Sequence, residues 1–219
     1  MMRRYAVFLA GLVLLCSTCG VAQKADAALI VGGSFVSDSN VRVVVLCITA
    51  PCPTFPGTLK TDNHVFLEGA LGLRILDAKA ISLHLELPIA GIPSQKLRLF
   101  TVPIISTVPI NFSSNLSSLF FTPSLKVKVL PASPIAPFFS VGGGLAHFSF
   151  DQGSSSKGAL QYGGGIDFKT GIPHFGLRVE VRDFVSGEPN LSALRPFLSG
   201  QGGLHRHNLL AGGGVVLNF

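Results

Sequence analysis

Apolar and polar positions alternate along much of this chain, most clearly in its last segment. One face there carries apolar residues and glycine, namely Leu209, Ala211, Gly213, Val215, Leu217 and Phe219. The positions between them include the polar residues Asn208 and Asn218. A period of two residues indicates a β-strand, because successive side chains of a strand point to opposite faces.

Similar alternation predicts strands over residues 64–75, 80–88, 119–130, 136–150, 158–169 and 174–184. For the first strand, the apolar and β-branched residues 41–46 are the candidate, and residues 29–36 compete for that place. Together with the closing segment this makes eight strands.

The connections between these strands alternate in length. Short turns fall around Asp77, at residues 131–134 and at residues 170–173, whereas the longer stretches are residues 49–63, 89–118, 151–157 and 185–203. Short turns at one end and long loops at the other are typical of outer-membrane barrels. The pattern predicts an all-β, antiparallel, up-and-down transmembrane β-barrel with eight strands and both chain ends in the periplasm.

One long stretch leaves the strand number open. Residues 96–102 also have strand character, and they either extend the barrel wall or form an extra hairpin, which would make ten strands. After residue 28 no run of about 20 apolar residues occurs, so a membrane would be crossed by strands.

The composition suits a lipid-facing surface. Hydrophobic residues make up 47% of the chain and charged residues 13%, which is roughly half the usual charged fraction. The formal charge of +6 is spread without a basic block, which argues against a nucleic-acid partner.

The first residues have the pattern of an export signal. A basic start precedes an apolar run over residues 5–15, and small residues stand at Ala25 and Ala27. We therefore predict a signal peptide over residues 1–27, Sec-type export, and a barrel domain over residues 28–219. An uncleaved anchor is the alternative.

The four cysteines are candidates for two modifications, lipidation and a disulfide bond. Cys16 and Cys19 lack the preceding small residue of a lipidated cysteine, which disfavours a lipoprotein. In an oxidising compartment Cys47 and Cys52 can form a short-loop disulfide. A metal or redox pair is disfavoured, because their spacing exceeds C-x-x-C and no histidine lies close by.

These features resemble the OmpA-like family of eight-stranded outer-membrane barrels, and the closing residues Val215, Leu217 and Phe219 resemble its assembly signature. The resemblance implies a bacterial outer-membrane location and a monomer, with membrane lipid and the barrel-assembly machinery as partners. The chain departs from the family in having no Trp, two Tyr and 17 Phe, so the usual aromatic girdles are reduced. It also shows no peptidoglycan-binding domain, so a peptidoglycan anchor is not implied.

An eight-stranded barrel has an interior that side chains fill. The charged residues at inward positions have both signs, and they are Glu68, Arg74, His84, Glu86, Lys126, Lys128, Asp167, Lys169, Arg178, Glu180 and Arg182. Buried charges must be paired, so we predict a salt-bridge network that fills the lumen, centred on Arg178, Glu180 and Arg182. A narrow ion path is the alternative.

A histidine pair stands before the last strand. His205 and His207 share a face, a spacing at which two imidazoles can bind a metal. The segment is also similar to lipid-A-modifying barrel enzymes that set a catalytic histidine near a serine, but Leu209 stands where the serine belongs and no carboxylate partner is evident. We interpret the pair as a polar rim and expect no metal, no cofactor and no enzyme activity.

The predicted function is therefore that of an integral outer-membrane barrel with a structural or surface-interaction role. The alternatives are a small pore for ions or apolar solutes, a lipid-modifying enzyme, and a soluble lipocalin-like barrel with apolar residues inside.

Overall fold

The computed structural model describes residues 25–37, 39–44, 54–101, 110–151, 153–187, 198–199 and 205–219. Its strands are β1 (Ala25–Val36), β2 (Ser39–Val44), β3 (Thr54–Thr61), β4 (His64–Asp77), β5 (Ile81–Thr101), β6 (Ile110–Phe121), β7 (Ser124–Val129), β8 (Ile135–Phe150), β9 (Gly153–Lys169), β10 (Phe175–Gly187), β11 (Leu198–Ser199) and β12 (His205–Asn218). Within these ranges no helix is long and apolar enough to cross a membrane.

The strands close into an antiparallel barrel of eight. Around the ring the order is β1, β4, β5, β7, β8, β9, β10 and β12, and β12 pairs again with β1. The closing pair runs from Asp26 opposite Asn218 to Val36 opposite Asn208. Closure leaves this ring without a free edge, so the backbone groups of every strand in it find partners.

The first strand of the ring is β1, so the competing prediction over residues 29–36 is right and the one over residues 41–46 is wrong. The second segment does form a strand, β2, but it pairs with β3 and β11 instead of joining the ring. Apolar and β-branched residues indicate a strand without indicating its partner.

The long stretch over residues 89–118 extends the wall. β5 continues to Thr101, and it pairs with β6 up to Thr101 opposite Ile110. The ten-stranded alternative is therefore wrong, because these residues prolong two strands of the ring and add none.

Two further boundaries differ from the prediction. Residues 151–157 are not a long loop, since β8 and β9 pair up to Phe150 opposite Gly153. Polar residues at this end hide the strand because both faces are hydrophilic there. The single predicted strand over residues 119–130 is interrupted at Thr122 and Pro123, and proline cannot donate a backbone hydrogen bond to a neighbouring strand.

The outer surface of the ring is an apolar belt. Its exposed side chains include Leu29, Val31, Leu67, Leu125, Val141, Leu160, Val179, Val181, Leu209 and Leu217. The alternate positions of the same strands are buried in the lumen, and many of them are charged. A soluble barrel has the opposite arrangement, so the lipocalin-like alternative is wrong.

Glycines make room for bulky lumen side chains. A Cβ on Gly212 would lie 2.8 Å from Cζ of Phe66, and one on Gly165 would lie 2.7 Å from Cζ of Phe138. Real Cβ atoms do not approach other atoms this closely, so these phenylalanine rings lie against the wall because no side chain stands in their way.

Candidate functional site

The lumen holds a cluster of charges around Glu86 on β5. Lys126 Nζ and Arg178 Nη1 donate to its Oε1 at 2.8 and 3.1 Å, and Arg182 Nη2 donates to its Oε2 at 2.9 Å. All four side chains are almost wholly buried. One carboxylate thus receives hydrogen bonds from three cations on two other strands, β7 and β10.

The cluster continues toward the end that carries the short turns. Asp167 accepts from Arg178 Nε at 2.7 Å and from Arg178 Nη2 at 3.1 Å, and Lys128 Nζ lies 2.6 Å from its Oδ2. Asp26 on β1 lies 3.3 Å from Lys126 Nζ and 3.3 Å from His84 Nδ1. The positive and negative groups therefore alternate through the lower lumen.

Two more carboxylates surround Arg182. Glu180 accepts from Arg182 Nε at 2.8 Å and from Arg182 Nη2 at 3.0 Å, and Glu68 Oε1 lies 3.4 Å from Nη2. A bidentate arginine–carboxylate pair is among the stronger side-chain contacts, and it holds both groups in a defined orientation.

An apolar layer covers the charge cluster on its other side. It consists of buried side chains of the ring and its extension, chiefly Ile30, Phe66, Phe120, Phe148 and Phe184. The rings of Phe120 and Phe184 have centroids 4.8 Å apart, and Phe148 meets Phe120 edge-on at 6.2 Å. Beyond this layer Ser118 donates to Gln95 at 3.2 Å inside the rim.

The opposite mouth of the lumen opens into a cavity of about 420 Å³. Its lining includes Asp26, His84, Lys128, His174 and Phe219. The cavity ends at the charge cluster, since Asp26 and Lys128 belong to both.

A second polar group lies on the outer wall. Asp183 Oδ2 accepts from the Tyr162 hydroxyl at 2.8 Å and lies 2.7 Å from His207 Nδ1. These three residues stand on β9, β10 and β12, which are neighbours in the ring. Asp183 is the carboxylate partner of His207 that no sequence spacing indicates.

Comparison with known proteins identifies the fold. No family model and no curated protein matches this chain. Among solved structures, the outer membrane protein OprG from Pseudomonas aeruginosa matches with a TM-score of 0.54 at 10% identity, covering 90% of this chain and 96% of that one. The chain has the fold of the eight-stranded outer-membrane β-barrels.

Other solved structures are similar over most of their length. Neisserial surface protein A (NspA) matches with a TM-score of 0.48 at 17% identity, over 90% of this barrel and 97% of that chain. The outer membrane protease OmpT from Escherichia coli matches with a TM-score of 0.47 at 8% identity, over 93% and 100%. The fold and the apolar belt of this barrel are consistent with a location in a bacterial outer membrane.

The barrel brings together most of the inward charges that the sequence indicated. The buried cluster contains Glu68, His84, Glu86, Lys126, Lys128, Asp167, Arg178, Glu180 and Arg182. Arg74 instead pairs with Asp77 beside the turn, and Lys169 is exposed at the end of β9. Asp26 completes the cluster, and the sequence does not indicate it because the predicted signal peptide over residues 1–27 includes this residue.

The remaining predicted sites have different outcomes. Cys47 and Cys52 lie outside the described residues of this barrel. Leu217 is exposed and Val215 is half-buried on the same outer face of β12, whereas Phe219 is exposed just beyond the strand and lines the mouth of the lumen. Among the residues that the structure describes, no group of histidine, cysteine and acidic side chains is arranged to hold a metal ion.

Proposed function

We propose that this chain is an integral outer-membrane barrel with a structural or surface-interaction role and a lumen closed by paired charges. Membrane lipid is the partner of its apolar belt, and the barrel-assembly machinery is its partner during biogenesis. The barrel acts through its surface and its extended strands, and no solute passes through it.

The observation that carries this proposal is the contact between Arg182 and Glu86 across the lumen. Their strands lie on opposite sides of the ring, and both side chains are buried. The phenylalanine layer is next to the pair along the strands, since Phe184 stands two residues beyond Arg182 and is also buried. An ion would have to displace the phenylalanine layer and break the ion pairs next to it, and breaking those pairs would leave buried charges unpaired.

The pore alternative is tested by reconstitution into planar bilayers. The barrel should give no steady unit conductance, after heat-modifiable gel mobility has shown that the inserted protein is folded. A reproducible unit conductance from the folded protein would overturn the closed-lumen proposal.

The enzyme alternative is favoured by one observation, the 2.7 Å contact between Asp183 and His207. An aspartate that orients a histidine is part of many hydrolytic sites. The test replaces His205 and His207 with alanine and compares the lipid-A acylation profile of cells that express each form. An unchanged profile supports the non-enzymatic role, whereas a changed profile would establish the enzyme.

A further inference from the structure

The group formed by Tyr162, Asp183 and His207 is unusual because it lies on the side of the wall that faces lipid. Leu160, two positions from Tyr162 on the same face, is 64% exposed, and Leu209, two positions from His207, is also exposed. Charged side chains on the lipid face of a barrel are costly and therefore rare. The exposed side chains of this group can therefore contact a partner outside the protein.

The position along the strand sets the depth of this group in the membrane. Asp183 stands eight positions beyond Phe175, where β10 begins at the short-turn end. At about 3.3 Å per residue and a tilt of about 40°, this corresponds to roughly 20 Å above that end. The apolar band of such barrels is about 25 Å tall. The group thus lies near the outer edge of the band, at the level of lipid headgroups.

The side chains that lipid meets here are two imidazoles and a phenol. The side chain of His207 is 48% exposed, whereas that of Asp183 behind it is 11% exposed. Because His207 Nδ1 faces Asp183, its other nitrogen, Nε2, is the one directed away from the carboxylate. His205 is exposed on the same face of β12.

We propose that His205 and His207, with Tyr162 beside them, bind a phosphate group of an outer-leaflet lipid. An imidazolium carries a proton on both ring nitrogens, so His207 in this form donates from Nδ1 to Asp183 and from Nε2 to a phosphate oxygen, and phosphate oxygens accept several hydrogen bonds at once. Alternate residues of a strand stand about 7 Å apart on one face, a span that a phosphate and its two hydrogen bonds can bridge. Asp183 is a positioning residue, because it orients His207 and remains covered.

This binding site goes beyond the proposed function and does not depend on it, since a conducting barrel would have the same outer wall. Hydrocarbon tails offer no acceptor for the imidazole N–H groups, so a phosphate at this depth provides the interaction that the tails cannot. Phosphates occur both on lipid A and on phospholipids, and the experiment separates these sources.

The test measures lipid retention by native mass spectrometry after refolding in dodecyl maltoside, which contains no phosphate. The added probes are bis-phosphorylated lipid A, dephosphorylated lipid A and phosphatidylglycerol. We expect the unchanged protein to retain a phosphorylated probe about 5-fold more than dephosphorylated lipid A. Preference for lipid A over phosphatidylglycerol, or the reverse, identifies the source.

The variant His205→Gln/His207→Gln should lose this preference, with folding checked by heat-modifiable mobility. The matched control is His147→Gln, since His147 is also exposed on the outer face but contacts the Ser156 hydroxyl at 2.9 Å instead of a carboxylate. Equal retention of phosphorylated and dephosphorylated lipid A by the unchanged protein would overturn the proposal, as would equal loss in the control.

A second measurement needs no substitution. In protein with ¹⁵N-labelled histidine, the imidazole nitrogen signals of His205 and His207 should shift when the preferred phosphorylated probe is added, and the signals of His147 should not. Unchanged signals from His205 and His207 at saturating probe would also contradict the site.

Discussion

Arg182 on β10 reaches across the lumen to Glu86 on β5, with its Nη2 2.9 Å from the carboxylate Oε2. The two strands are separated by three others in either direction around the ring, so the contact spans the barrel. Glu86 also accepts hydrogen bonds from Lys126 and Arg178, so three buried cations share this one carboxylate.

Removing the charge of Glu86 should therefore destabilise the barrel strongly. Glu86→Gln leaves Lys126, Arg178 and Arg182 buried without their shared counter-charge, and breaking such a buried pair costs about 3–5 kcal/mol. The measurement is urea unfolding of the protein refolded in lipid vesicles. The matched control is Asp62→Asn, because Asp62 pairs with Arg98 at an exposed site, where loss of a pair costs roughly 0–1 kcal/mol. Equal losses for both variants would contradict the central role of Glu86.

The second prediction concerns the close packing around Gly212. A methyl group there would lie 2.6 Å from the Val31 carbonyl oxygen and 2.8 Å from the Phe66 ring, so Gly212→Ala should cost about 1–3 kcal/mol. Gly69→Ala serves as the control, because its new Cβ meets nothing within 4 Å. Midpoints of urea unfolding compare the two variants. If Gly212→Ala is as stable as Gly69→Ala, the wall can yield at this point and the packing argument is wrong.

A turn at the short-turn end contains a conformation that favours glycine. Leu130 has a φ of 49°, which most side chains disfavour, and its backbone N–H donates to the Ala80 carbonyl at 2.8 Å. Leu130→Gly keeps this hydrogen bond and relieves the strain, which we expect to raise stability by about 1 kcal/mol. The neighbouring Val129→Gly lies in a regular strand and should lower stability. A loss of stability in Leu130→Gly would show that its side chain contributes more than the strain costs.

The position of Asp26 bears on signal-peptide cleavage. Cleavage after Ala27 would remove Asp26, which lies 3.3 Å from both Lys126 and His84 in the lumen. We expect the mature chain to retain Asp26. Gly20 and Ala22 offer small residues at the two positions that a signal peptidase requires, before the start of β1.

Intact mass and N-terminal sequencing of protein from the membrane fraction test this expectation. Ala22→Leu should block processing, whereas Ala27→Leu should be processed normally. A mature chain that begins at Ala28 would show that the barrel closes without Asp26 and that the lumen network is smaller.

The period-two pattern of the sequence predicted most of the fold. The outward Leu177, Val179 and Val181 and the inward Arg178, Glu180 and Arg182 are adjacent in the chain, so the pleat of a strand alone separates lipid-facing from lumen-facing residues. The strand number followed from counting such segments. The pattern failed where both faces are hydrophilic, as at residues 153–156. It also left the first strand undecided, because residues 29–36 have almost no polar positions to mark an inward face.

By itself, the sequence determined which residues face inward and which face lipid, because that choice depends only on local alternation. Which charges pair was decided by closure of the barrel, since Glu86 and Arg182 meet only when eight strands form a ring. Closure also places Asp26 in the lumen. The pairing of β10 with β12 brings Asp183 beside His207, and no local pattern specifies the register of these two strands. Contacts between strands depend on register, and register is a property of the folded sheet.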